Sequence, residues 1–223
     1  PARGGSKGLP DKNVKLLGGQ PLIAFTIIAA QRSERIDRVI VSTDSKSIAE
    51  IAKHYGAEVP YLRPKSLASD SSMVLDSYLH LIDTLNIREH PPISEFIALL
   101  PTVPFRSNLD IDAAIQLYEE KDADSVISMT ESTPVEWHYS ISKKGRLIPA
   151  INTTSNIANR QEFTQSVVPN GGLYILQVKK LREHRTYYFE NSYPYIMPKI
   201  RSIDIDALDD FLLAEVALQF FID

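Results

Sequence analysis

The residues that could do chemistry gather near the two ends of this chain. Near the start, Arg3-Gly4-Gly5-Ser6-Lys7-Gly8-Leu9-Pro10-Asp11-Lys12-Asn13 sets three cations and a serine among three glycines. Glycines let backbone N–H groups approach phosphate oxygens closely and the cations balance the charge, so the segment predicts a loop that grips a nucleoside triphosphate. It has neither the G-x-x-x-x-G-K-[ST] spacing of a Walker loop nor the G-x-G-x-x-G spacing of a dinucleotide loop. Near the end, Ser202-Ile203-Asp204-Ile205-Asp206 alternates two carboxylates with isoleucine. In an extended chain Asp204 and Asp206 point to one side, where they could hold a hard divalent cation such as Mg2+. A second reading makes Asp206 the cap of the following helix and leaves Asp204 solvated. A phosphate loop elsewhere in the chain favours the metal.

Two further readings of the loop stand beside the first. One is an ordinary surface turn. The other is a nucleophile elbow, because Gly4-Gly5-Ser6-Lys7-Gly8 also spells G-x-S-x-G and would make Ser6 the nucleophile of a serine hydrolase. That elbow should run straight into an apolar helix, whereas Pro10, Asp11, Lys12 and Asn13 follow here.

The elements that must position these groups are those of one domain. At 223 residues, with 43% hydrophobic and 23% charged residues, the chain can bury a core without disulfide or metal staples. A net charge of -4 argues against a general nucleic-acid binder. The absence of Cys excludes thiol catalysis and cysteine-ligated zinc. No apolar run reaches the roughly 18 residues of a membrane span, and the expectation is a soluble, cytoplasmic protein. The chain opens on Pro1 rather than Met, and the strand that should feed the loop is expected upstream.

Pro21 suits the first turn of a helix through about Gln31, and residues 37–43 read as a buried strand ending at Asp44. Residues 45–55 carry Ile48, Ile51 and Ala52 at helical spacing and close at Gly56; residues 58–62 form a short strand. A helix over 74–85, an apolar run over 96–100, a helix capped by Asn108 and a strand over 124–129 continue the rhythm. Strands alternating with helices predict an α/β fold with a doubly wound, mostly parallel sheet, which takes ligands beyond the carboxyl ends of its strands. The rhythm lapses over 130–168, which reads as an inserted subregion for dimerisation or for covering the site. It resumes with a strand over 172–177 and a last helix over 208–220.

Together these residues resemble the acylneuraminate cytidylyltransferases, the CMP-sialic acid synthetases. The loop is similar to that family's R-x-x-S-K-G-x-P-x-K-N signature through Arg3, Ser6, Lys7, Gly8, Pro10, Lys12 and Asn13. Ile40-Val41-Ser42-Thr43-Asp44, Arg63-Pro64 with Leu67-Ala68-Ser69-Asp70, Pro101-Thr102-Val103-Pro104-Phe105-Arg106, Pro169-Asn170-Gly171 and the Asp204/Asp206 pair follow in family order. The resemblance implies a Rossmann-like nucleotidyltransferase of a single domain over 1–223, joining CTP to a nine-carbon 2-keto sugar acid and releasing pyrophosphate. It implies that Ala2, Arg3, Gly4, Ser6, Lys7, Lys12, Asn13 and Arg63 hold the nucleotide, with Lys12, Arg3 and Asp206 catalytic. Asp204 and Asp206 would take Mg2+ or another divalent cation such as Mn2+, and Arg160, Tyr174 and position 100 would meet the sugar. A homodimer, whose insert reaches the partner's site, also follows from the resemblance alone.

The chain departs from the pattern where the family commonly has Gln before the Pro-Thr segment and Arg before Pro-Asn-Gly: it has Leu100 and Val168. An aliphatic side chain cannot replace a lost donor, so the choice among sialic, legionaminic, pseudaminic and KDO-type acids stays open. A nucleotide-sugar binding protein without chemistry is the remaining competitor.

Overall fold

Helix ends in this chain are set by the residues flanking them. The computed structural model describes residues 1–6, 8–69, 72–87, 91–151 and 165–221. After the opening loop, strands β1 (Leu16–Leu17) and β2 (Gln20–Pro21) make a small antiparallel hairpin over Gly18 and Gly19. Helix α1 (Leu22–Gln31) starts beyond Pro21 and is apolar on nearly every side, as a helix enclosed by protein must be. Helix α2 (Lys46–His54) begins where the Ser45 hydroxyl accepts from Ile48 N–H at 3.4 Å. It stops at Gly56, whose φ of +85° suits a residue without Cβ.

Between these helices, residues 37–43 form no regular strand. They are tied in by two parallel bridges, Ile40 to Glu58 and Thr43 to Leu62. Helix α3 (Val74–Asn86) and strand β3 (Glu95–Ala98) lie close to where periodicity predicts them. Helix α4 (Asn108–Glu120) is capped by Ser107, not by Asn108, which is its first helical residue. The Ser107 hydroxyl and the Asp110 carboxylate form a reciprocal capping box, a pair in which Asn108 has no part.

The main sheet contains β3, β4 (Ser125–Glu131), β7 (Val167–Gln177) and β8 (Ser192–Ile196) in the order β3-β7-β4-β8. β7 runs antiparallel to both neighbours, whereas β4 and β8 are parallel, so the sheet is mixed. Helix α5 (Val178–His184) and β8 were not distinguished by apolar spacing, being short and half-exposed. In the predicted insert, β5 (Tyr139–Ile141) and β6 (Leu147–Pro149) form an exposed antiparallel hairpin, turned at Gly145. Helix α6 (Leu208–Leu218) closes the chain.

Two apolar clusters decide where the chemistry sits. Ala2 packs with Ile23, Ile27, Val41 and Ile48, while Leu9 packs with Leu17, Leu22, Ile205 and Phe211. The loop is therefore nailed down at both ends, and Ile205 is drawn to the same core as Leu9. Burying an Ile or Leu side chain is worth about 1.5–3 kcal/mol, enough to hold segments almost two hundred residues apart side by side.

Candidate active site

Between its two apolar anchors, the opening loop lies across the ends of residues 40–43. Ala2 N–H donates to Ser42 O at 2.9 Å, and Gly4 N–H donates to the Asp44 carboxylate at 3.0 Å. Asn13 Nδ2 reaches back to Arg3 O at 3.0 Å and fixes the width of the loop. Asp11, at φ +53°, turns the chain into a short 3-10 helix, Lys12–Val14. Gly8 lies against the carboxylate segment: a Cβ there would sit 2.3 Å from Asp206 O. No side chain fits that gap, so the glycine is required by close approach.

Lys12 has its aliphatic stem buried and its Nζ 2.8 Å from Asp206 Oδ1. The Asp206 side chain is 77% exposed, so this pair sits at the rim of the site. Ile205, fully buried, donates its N–H to Thr102 O at 2.9 Å and turns Asp204 and Asp206 outward together. Burial raises the Asp204 carboxyl above the ordinary aspartate range even though the residue keeps an accessible surface. A hydrogen bond from Thr102 opposes that rise and the charge of Asp206 adds to it. The helix-cap reading of Asp206 does not hold: Asp210 accepts from the N–H groups of Asp206 and Ala207 at 3.0 and 2.8 Å.

Arg63 is buried beside the loop. Its N–H donates to Thr43 O at 2.7 Å and its Nη1 to Ser77 Oγ at 3.0 Å, with Nη2 at 4.0 Å from Asp44. Burial lowers its pKa and the nearby Asp44 opposes that shift. Asp44 thus connects the loop to Arg63. The sequence marks it as a strand end and as part of the segment over residues 40–44 without giving it a role; its two partners, Gly4 and Arg63, lie on different segments and no spacing rule joins them.

Leu100 and Asp204 flank Gly171, whose φ is +74°; a Cβ there would come within 3.2 Å of Leu100 Cδ1 and 3.5 Å of Asp204 Oδ2. Tyr174 stacks at a tilt on Tyr187, 5.3 Å between ring centroids. Burial pushes its hydroxyl up to about 12, with Tyr188, Tyr187 and Asp204 adding to the rise, so it stays a donor near neutral pH. Lys7 and Arg160 lie outside the described residues. A cavity of about 520 Å3 between residues 39–42 and 96–99 is lined by Pro1 and Ala2 at the start of the loop but by none of Arg3, Lys12, Asp204 or Asp206.

Arg3, Gly4, Lys12, Asn13 and Arg63 are therefore brought around one end of the fold, with Asp204, Asp206, Leu100 and Tyr174 next to them. Among the described residues no group of three or more His, Asp or Glu forms a metal cage. The donor set still fits a hard cation: two outward carboxylates, countered by one ammonium, suit an ion that takes its other oxygens from phosphates and water. The serine nucleophile finds no elbow, since Lys12–Val14 replaces the long apolar helix that would follow it. Two imidazoles are engaged elsewhere, His80 with Tyr61 and His138 with Thr133.

A family model described as cytidylyltransferase matches residues 1–196. The chain is 37% identical over 223 residues to the CMP-N,N'-diacetyllegionaminic acid synthase of Legionella pneumophila, covering 98% of this chain and 94% of that one. It is 35% identical over 218 residues to an N-acylneuraminate cytidylyltransferase of Streptococcus agalactiae, of which it spans half the length (50%) and which covers 95% of this chain. The solved structure of CMP:2-keto-3-deoxy-manno-octonic acid synthetase with CTP superposes with a TM-score of 0.71 at 12% identity, covering 100% of this chain and 97% of that one. That likeness bears on the fold alone.

Proposed function

Since the chain belongs to the cytidylyltransferase family, we propose that it transfers the cytidylyl group of CTP to the anomeric hydroxyl of a nonulosonic acid, a nine-carbon 2-keto sugar acid, and releases pyrophosphate. The observation that carries this reading is the Lys12–Asp206 contact at 2.8 Å, which seats a cationic phosphate loop against a pair of carboxylates. The loop N–H groups, Arg3 and Lys12 hold the triphosphate. The sugar hydroxyl gives up its proton to water and attacks the α-phosphorus, the bond from that phosphorus to the bridging oxygen breaks, and the Lys12 ammonium offsets the charge of the leaving pyrophosphate. Asn13, tied to Arg3 O, keeps the loop at the width of its ligand. Asp204 and Asp206 would hold Mg2+ or Mn2+, which when bound offsets phosphate charge and lowers the pKa of a coordinated hydroxyl.

On the sugar side, Tyr174 offers a hydroxyl donor and Leu100 offers only methyl groups beside Asp204. An apolar wall there suits an acid with two acetyl groups, of the kind named for the Legionella relative, better than one presenting a hydroxyl. The exposed β5–β6 hairpin, with Trp137, Tyr139, Ile141, Leu147 and Ile148 on its surface, supports a homodimer in which the insert covers the partner's site. Cytoplasmic CTP would supply the reaction.

Pyrophosphate release tests this reading, with CTP, Mg2+ and a panel of N-acetylneuraminic, diacetyllegionaminic, pseudaminic and KDO acids. Turnover with a nonulosonic acid is expected. Tight CTP binding with no product from any acid would overturn it in favour of a nucleotide-binding protein. Ile141→Asp, followed by sedimentation, should yield monomers if the hairpin is the dimer contact.

A further inference from the structure

We propose that Asn170 and Ser202 are positioning residues that set the Asp204 carboxylate, beside Asp206, for its ligand. The inference rests on the carboxylate pair being the reactive site described above. It begins with a break in the main sheet. Ile127 pairs with Tyr174 and Met129 with Pro169, so residues 170–173 of β7 face Ser128 alone. Such a bulge takes backbone groups out of the ladder, and buried N–H and C=O groups then need other partners.

Two buried side chains supply them. Ser128 Oγ accepts from Leu173 N–H at 2.7 Å, and Asn170 Oδ1 accepts from Gly172 N–H at 3.0 Å and from Ser128 Oγ at 2.5 Å. Because two donors converge on Oδ1, the orientation of the amide is fixed: a flip would set NH2 against an N–H. Its Nδ2 must then point away from the bulge. There it donates to Ser202 Oγ at 2.8 Å, and Ser202 in turn donates to Pro198 O at 2.9 Å.

Ser202 stands two residues before Asp204, and Ile205, tethered to Thr102 O, stands one after it. Asp204 is thus held from both sides. The Ile205 tether uses backbone only and would form with any side chain at 204. The Ser202 tether depends on one hydroxyl and one amide, both outside the reacting set. Asn170 is 4% exposed and spends its whole hydrogen-bonding capacity on this chain of contacts, with Met197 sulfur taking the remaining donor at 3.4 Å. Residues that orient ligating carboxylates in this way typically carry about 10–100-fold in metal affinity or activity.

The test uses Ser202→Ala, which leaves the bulge satisfied, beside Ser202→Thr, which keeps a hydroxyl, and Asn170→Ala. Mn2+ binding in the presence of CTP is read by electron paramagnetic resonance, and turnover by pyrophosphate release. Ser202→Ala is expected to weaken Mn2+ binding and lower kcat about tenfold with the KM for CTP within about twofold, and Ser202→Thr to restore most of both. Asn170→Ala should do the same, with no further loss when the two alanines are combined. Wild-type Mn2+ affinity in Ser202→Ala, or loss of thermal stability alone in Asn170→Ala, would overturn the proposal. If the wild-type protein turns over none of the sugar acids, the proposed function falls; the Mn2+ affinities still decide this inference separately.

Discussion

The two halves of the site are built by opposite means. The opening loop is a backbone device: between Ala2 and Leu9 its described ties include the Gly4 N–H bond to Asp44 and the Asn13 amide on Arg3 O, and among its glycines Gly5 faces open space. The carboxylate segment is a side-chain device, braced by Ser128, Asn170, Ser202 and Asp210 through buried or capping hydrogen bonds. A loop of the first kind is completed by the anion it binds. A segment of the second kind is rigid before anything arrives, which suits groups that must meet a cation at defined distances.

Breaking the contact where the halves meet should have the largest effect. Lys12→Ala removes the ion pair that joins the loop to Asp206, and kcat is expected to fall about 10²–10³-fold. Asp206→Asn should lower turnover far more than CTP affinity, measured by pre-steady-state kinetics beside equilibrium binding; an unchanged rate would remove Asp206 from the proposed metal site. Next comes Gly8→Ala, which places a Cβ 2.3 Å from Asp206 O and must lift the loop off the carboxylates. A loss of about 10²-fold in kcat/KM for CTP is expected, against a far smaller loss for Gly5→Ala, whose Cβ meets nothing within 4 Å.

A pH series sharpens the contrast further. Burial raises the Asp204 carboxyl, so the acid limb of kcat should fall at a pH above the ordinary aspartate range. The native state then binds this proton more tightly than the unfolded chain does. Its stabilising contribution is therefore full below the ordinary value, about 3.9, and is lost as pH rises through the raised native one. Asp204→Asn should accordingly gain stability relative to wild type at neutral pH, while losing turnover; denaturant titrations at two pH values check this. The smallest effect belongs to Leu100→Gln, which adds a donor beside Asp204 and Gly171. It should shift relative kcat/KM by about tenfold from acids with two acetyl groups toward hydroxylated ones, read in paired substrate competitions.

How much of this could be read from the chain differs between the halves in the same way. The loop was legible because its parts are adjacent: the cations, the glycines and Pro10 lie within eleven residues. Ser45, Gly56 and Pro21 marked helix ends for the same local reason. The bracing of the carboxylates was not legible. Asn170 meets Ser128 and Ser202, separated from it by 42 and 32 residues, and only the bulge in β4 and β7 makes the meeting necessary. Asp206 looks like the cap by type, but Ala207 is the residue that opens the helix; Asp206 turns to Lys12 and Asp210, in the first turn, accepts from the Ala207 N–H. The direction of β7 was hidden too, since alternation of strands and helices says nothing about a strand arriving from an exposed hairpin.

The Lys12–Asp206 pair also has a thermodynamic meaning. A triphosphate that draws the ammonium toward its own oxygens leaves Asp206 with an uncompensated charge, and a cation that settles on Asp206 sets the ammonium loose. Each ligand therefore removes an obstacle to the other, and by reciprocity it strengthens the other's binding by the same factor. Under the proposed function, cooperativity between nucleotide and cation would thus rest on one contact, with no moving domain required.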